Sequence, residues 1–179
     1  EKVAMMAADA TGLRLSDAGL GAWVRQQSIL STRQSLASVQ EWIDRVDPRF
    51  GFEVARRYAG AMAISDADVE QAQTEREAIM HRMAEVLEDG VVVCLPTSPI
   101  PAPPVGLSVP ERYAHRERIL ALTCIAGTCG APQISLPLAA VEGFPVGLSL
   151  IGAPGADKLL LAFAREIDSV LQPTGNSKD

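Results

Sequence analysis

The sequence predicts an α/β fold whose strands belong to a larger sheet, and three observations carry that reading. Three short stretches, Val91–Leu95, Pro132–Leu138 and Pro145–Ile151, are apolar at nearly every position. A strand with one wet face alternates, so unbroken apolar runs indicate strands covered on both faces. The segments around them space their apolar residues three and four apart, as a helix with one buried stripe does. Finally, strands covered twice need more neighbours than a largely helical chain of 179 residues supplies. The expectation is about three strands and about five to six helices forming part of a larger layered structure.

Composition bounds the chemistry. Hydrophobic residues make up 47% and aromatic residues 4%, so the core is aliphatic and alanine-rich. No uncharged apolar run reaches the roughly 18 residues of a membrane span, and the start, EKVAMMAADATG, has neither a secretory apolar core nor a cleavage signal. The first residue is Glu1 and not Met, which leads us to expect that the chain begins inside a longer polypeptide. A net charge of −6 argues against a nucleic-acid partner. The densest basic groups, Arg56-Arg57 and Arg112, Arg116 and Arg118, are interleaved with acids or apolar residues and read as solvated helix faces. Three cysteines, Cys94, Cys124 and Cys129, sit in apolar surroundings, which fits a reducing cytoplasm better than a disulfide scaffold.

Residues 1 to about 60 read as helical with irregular joints at Gly12, Gly19 and Gly21. Leu36, Val39, Ile43 and Val46 form one stripe of a helix that Asp47-Pro48 ends, because the residue before proline is pushed out of the helical region. A short helix is expected from Phe52 to Met62, and Trp23 and Trp42 read as packing anchors. Ser65 then caps a long helix, with Asp68 completing a capping box and Ile64 and Val69 placed for a hydrophobic staple. Its inner positions are Val69, Ala72, Ile79, Met83, Val86 and Leu87; Gly90 ends it, giving about 24 residues, or about 36 Å. His81, among Arg82 and Glu85, reads as exposed.

Gly90 leads directly into the strand Val91–Leu95. Pro96, Pro99, Pro101, Pro103, Pro104 and Pro110 follow, a density that excludes helix and central strand. The expected structure is an ordered, extended loop at the carboxyl end of a strand, where open α/β sheets place ligands. Arg112–Gly127 reads as a helix whose second half, ALTCIAGTCGA, is small and uncharged on all sides, so it is buried or lines a pocket. Two strands joined by a hairpin at Val141-Glu142-Gly143-Phe144 come next. The last helix spans about Ala156 to Leu171, with Leu160, Phe163, Ile167 and Val170 inward, and a polar tail follows. The chain thus divides into a variable helical segment (1–63), an α/β part (64–172) and the tail (173–179).

A catalytic constellation does not emerge from the residues. Two histidines, His81 and His115, and Cys124-x4-Cys129 assemble no metal pattern, and no glycine-rich phosphate loop follows a strand. Ser149, in GLSLIG, lacks the spacing of a nucleophile elbow and reads as a strand residue. Lys2, Lys158 and Lys178 are poorly placed to act as a desolvated base. Cys124, alone on an apolar helix, reads as a small hydrophobe.

Three motifs in order, VVVCLPTSPIPAPP, ERILALTCIAGTCGAPQISLPLA and EGFPVGLSLIGAPGADKLLLAFA, closely resemble the C-terminal third of the amidase signature family. The likeness is closest over 91–171, extends more loosely over 64–90, and is slight over 1–60. It implies an α/β/α sandwich around a mixed sheet, to which this chain gives C-terminal strands and helices. It also implies amide hydrolysis through a serine acyl-enzyme, without a cofactor or metal. The family's nucleophilic serine, bridging serine and lysine lie in an N-terminal half that nothing here matches, so no catalytic residue is carried over. By position, the resemblance places Pro96, Thr97, Leu120, Thr123, Cys124 and Gly127 in the substrate-pocket wall. Glutamine-using members carry a carboxylate near the position of Leu120, so an apolar residue there implies a less polar amide as substrate.

Two functions follow from these readings. In the first, the chain completes an amidase whose N-terminal half precedes it or is a second chain; a homodimer stays open. In the second, it is a non-catalytic module, binding a small molecule or docking on a partner, including an amidotransferase-like subunit. The first predicts that the isolated chain exposes sheet edges and apolar patches; the second predicts cooperative unfolding on its own.

Overall fold

A computed structural model describes residues 9–171. Among these residues are five α-helices, α1 (Gly21–Val46), α2 (Phe52–Met62), α3 (Asp66–Val86), α4 (Val109–Cys129) and α5 (Asp157–Leu171), and three strands, β1 (Val93–Pro96), β2 (Gln133–Val141) and β3 (Phe144–Ile151). Residues 1–8 and 172–179, the latter including the polar tail 173–179, lie outside the described residues.

Local signals set most of the boundaries. Asp47 caps α1 in the left-handed region, donating its N–H to Ile43. The helix ends before Pro48 as expected, although Asp47 takes a positive φ and not the extended backbone usual before proline. Ser65 and Asp68 form the expected capping box of α3, and Ser108 with Glu111 forms a second one at α4. That second box, with Pro110 in the first turn, starts α4 before the expected Arg112. Helix α3 is shorter than expected, at 21 residues, because a 3-10 turn over Glu88–Gly90 tightens its end. Asp89 and Gly90 both take positive φ there.

The sheet is antiparallel in the order β1-β3-β2. A two-residue turn at Glu142-Gly143, with φ of 52° and 81°, joins β2 to β3, the backbone that matches strand twist in a tight hairpin. Pairing runs from Val141↔Phe144 to Gln133↔Ile151, with a one-residue slip between Leu136 and Ala139. Pro137 lies in that slip, on an edge strand, where a missing N–H is tolerated.

Helices cover both faces of the sheet. On one, Ile151 packs with Trp23, Ile79, Met83, Leu87, Cys124, Ile125 and Cys129, with Val93 and Leu95 beside them. On the other, Leu150 packs with Leu160, Ala164 and Ile167 of α5, flanked by Ile134 and Leu136. This is the helix–sheet–helix layering expected. Trp23 shares its core with α3 and α4, so α1 packs as part of the α/β layers.

Three expectations need correction. Double coverage holds for the inner half of β3, whereas β1 and β2 alternate or open toward solvent, because each is an edge strand among the described residues. Val170 is 56% exposed; Ala164, three residues before Ile167, takes the inner place. Trp42 is 43% exposed. It lies against Phe50, which in turn meets Tyr58, in a tilted aromatic row outside the main core.

Candidate functional site

Chain geometry at the end of β1 builds the site. Thr97, the first residue after the strand, donates its N–H to the Gly147 carbonyl at 2.8 Å, so the proline loop leaves the sheet from a fixed point. Ser98 then bonds the backbone of Ile100, which holds the loop's first turn. Opposed residues of an antiparallel pair share a face, and Leu95↔Ser149 and Ser135↔Ser149 stand opposite one another. Three hydroxyls therefore gather on the α1/α3/α4 face. Thr97 Oγ1 lies 2.6 Å from Ser135 Oγ and 2.7 Å from Ser149 Oγ. Gln133 Nε2 donates to Ser149 Oγ at 2.8 Å.

Gly147 makes this cluster possible. A Cβ there would lie 2.5 Å from Ser135 Oγ and 2.6 Å from Thr97 Oγ1, well inside van der Waals contact. Above the cluster is a groove of about 250 Å³, lined by Thr97, Ser135, Gly147 and Thr123 with Ile100 and Ile119. A second groove, of about 330 Å³, shares Pro103 and Ile119 with it and continues along Leu107 and Leu120 to Arg112, His115 and Arg116. His115 Nδ1 is buried there without a hydrogen-bond partner among the described residues. The α4 end of this wall is tied to α2: the Tyr113 hydroxyl donates to Glu53 at 2.8 Å, and the Arg56 guanidinium lies 4.6 Å above the Tyr113 ring.

Of the six residues that the family resemblance places in the pocket wall, Thr97 and Thr123 share the first groove and Leu120 lines the second. Pro96 ends β1 beside Thr97. Cys124 lies in the buried core and Gly127 is exposed; these two and Pro96 stand outside the lining of the two grooves. Burial raises the Cys124 thiol, and raises Cys129 to about 11 with help from its neighbour Cys124. Burial thus disfavours the thiolate at both, which agrees with reading Cys124 as a hydrophobe. Lys158 sits exposed in the first turn of α5, on the opposite face of the sheet from the hydroxyls. Among the described residues, no group of three metal-ligating side chains converges, and no helix is long and apolar enough to cross a membrane.

A family model for amidases matches residues 5–161. The chain belongs to the amidase family. It is 34% identical over 143 residues to "Amidase 1" of Oryza sativa subsp. japonica, a match over 79% of this chain and 33% of that protein. It is 36% identical over 108 residues to a glutamyl-tRNA(Gln) amidotransferase subunit of Exiguobacterium sibiricum, covering 58% of this chain and 22% of that protein. Among solved structures, an amidase at 28% identity superposes with a TM-score of 0.70, covering 84% of this chain and 35% of the other. The chain thus spans about a third of the rice relative's length.

Sequence reasoning misses the partners of Thr97. By its spacing Ser149 reads as a strand residue, and nothing in the residue pattern singles out Gln133, Ser135 or Gly147. The signal is a register. Counted outward from Val141↔Phe144 without a slip, Ser135 would face Leu150; the slip at Pro137 brings it opposite Ser149. A one-residue shift moves a side chain to the other face, so the hydroxyl cluster depends on an irregularity that the residue pattern does not announce.

Proposed function

We propose that this chain is the C-terminal portion of an amidase that cleaves the C–N bond of a small, weakly polar carboxamide. Its strands and helices complete the sheet and wall the substrate pocket, and the reacting serine–serine–lysine set is contributed from outside residues 1–179. Family membership with a groove at the end of β1, between the proline loop and α4, is the observation that carries this reading. The partner it requires is the half bearing those groups, as preceding sequence or as a second chain. In the reaction, the serine oxygen bonds to the carbonyl carbon and the C–N bond breaks. The nitrogen leaves with a proton as ammonia or an amine, and water hydrolyses the ester.

Leu120 supports the substrate class. It lines an apolar wall with Pro103, Pro104, Leu107 and Ile119, which gives an α-ammonium group no counter-charge at that point. Ammonia release from benzamide and from glutamine, measured on the enzyme that contains this chain, tests it. Benzamide should be the better substrate by kcat/KM, and Leu120→Asp should shift the ratio toward glutamine. A preference for glutamine in the parent enzyme would overturn the substrate class.

A further inference from the structure

We propose that Ser135 ends a polarised chain of hydrogen bonds and offers its hydroxyl hydrogen to a carbonyl oxygen of a ligand in the groove beside Thr97. The direction follows from counting hydrogens. Ser149 Oγ accepts from Gln133 Nε2 at 2.8 Å. Ser149 is fully buried, so its own hydrogen needs an acceptor within the protein. Thr97 Oγ1, at 2.7 Å, provides it. The single Thr97 hydrogen is then directed to Ser135 Oγ at 2.6 Å. Ser135 has accepted one bond and still holds its hydrogen, on an exposed side chain that lines the groove.

Each donated bond polarises the next hydroxyl, so the last one is the strongest donor of the series. The glycine at 147 is what lets Ser135 and Thr97 close this chain against the backbone of β3. Ile100, Ile119 and Val146 supply apolar wall around it. Ser98 and Thr123, which also line the groove, spend their hydroxyl hydrogens on the carbonyls of Ile100 and Ile119. Thr97 spends its own on Ser135, so the side-chain hydroxyl left to donate selects a body carrying an acceptor oxygen. The inference rests on the preceding reading only in taking this groove as substrate wall.

Binding can test it without turnover. Acetophenone carries a carbonyl and no N–H; indole carries an N–H and no carbonyl. Titrated by calorimetry into the intact protein, acetophenone should bind more tightly than indole. Ser135→Ala should weaken acetophenone about threefold to tenfold, leave indole and the melting temperature unchanged, and be rescued by Ser135→Thr. Gln133→Glu replaces the donor at the head of the chain with an acceptor. Ser149 would then donate to the introduced carboxylate, every hydroxyl would turn round, and the preference should swing toward indole. No saturable acetophenone binding, equal binding by Ser135→Ala, or an unchanged preference in Gln133→Glu would each overturn the proposal. A fall in melting temperature with unchanged binding would assign the cluster a structural role and overturn it too. Loss of amide hydrolysis with these affinities intact would instead count against the amidase reading alone.

Discussion

The Gly147 carbonyl accepts the Thr97 N–H at 2.8 Å, and the side chain that Gly147 lacks leaves the space that the Thr97 hydroxyl occupies. The two residues are locked by backbone and by shape at once. Gly147→Ala would bring a methyl to 2.6 Å from Thr97 Oγ1 and 3.0 Å from its Cβ. Forcing the Thr97 and Ser135 side chains aside to admit that methyl costs about 1–3 kcal/mol. Chemical denaturation should show a loss of that size, and Thr97→Ser should not recover it, because the hydroxyl and Cβ remain.

Thr128 anchors α1 to α4 within the core. Gln26 Nε2 donates to its hydroxyl at 3.1 Å and to the Trp23 carbonyl at 3.0 Å, with Gln26 and Thr128 both fully buried. Thr128→Val keeps the shape but leaves an amide hydrogen without an acceptor, at a cost of about 1–3 kcal/mol. Gln26 Oε1 already lacks a partner among the described residues. The double variant Gln26→Leu/Thr128→Val should therefore lose less than the two single variants added together, as a denaturant-midpoint cycle would read.

Acid should weaken the starts of α3 and α4 together. Side-chain and backbone hydrogen bonds from Ser65 lower Asp68 from its usual 3.8, and those from Ser108, with His115 adding attraction, lower Glu111 from 4.5. A carboxylate depressed on folding contributes stability that is full above its unfolded value and lost as pH falls through the folded one. Melting temperature should thus hold from neutral pH and fall below the ordinary carboxylate range. Asp68→Asn and Glu111→Gln should lower the plateau and flatten that acid limb.

Thiol labelling distinguishes Cys94 from its companions. Cys94 is exposed, while Cys124 and Cys129 are buried, and burial raises both buried thiols. Iodoacetamide at pH 8 should modify Cys94 alone in the folded protein, slowly, since desolvation raises that thiol as well. Mass spectrometry should find the other two labelled only after unfolding.

The helices are largely legible in the sequence, since their boundaries rest on neighbours in the chain. Ser65 with Asp68, Asp47 before Pro48, and the Glu142-Gly143 turn each act within a few residues. The site is legible only in part. Thr97 and Thr123 are reached through their place around the proline loop, yet Ser135 and Ser149 meet through a register slip and a strand pairing that spacing alone does not reveal. Likewise, apolar runs read as doubly covered describe β3, because centrality in the sheet is a property of the pairing order. Edge strands such as β2 keep the same apolar composition while lying open on one side.

Hydrolysis of a simple amide, assayed with and without the serine–lysine half, tests the central claim most directly. Residues 1–179 alone should release no ammonia from benzamide above the buffer rate. With that half present, as preceding sequence or as a second chain, ammonia should appear and an acyl-enzyme should be trapped on a serine outside these residues. Ammonia release by residues 1–179 alone, or an acyl group found on Ser135 or Ser149, would contradict the account.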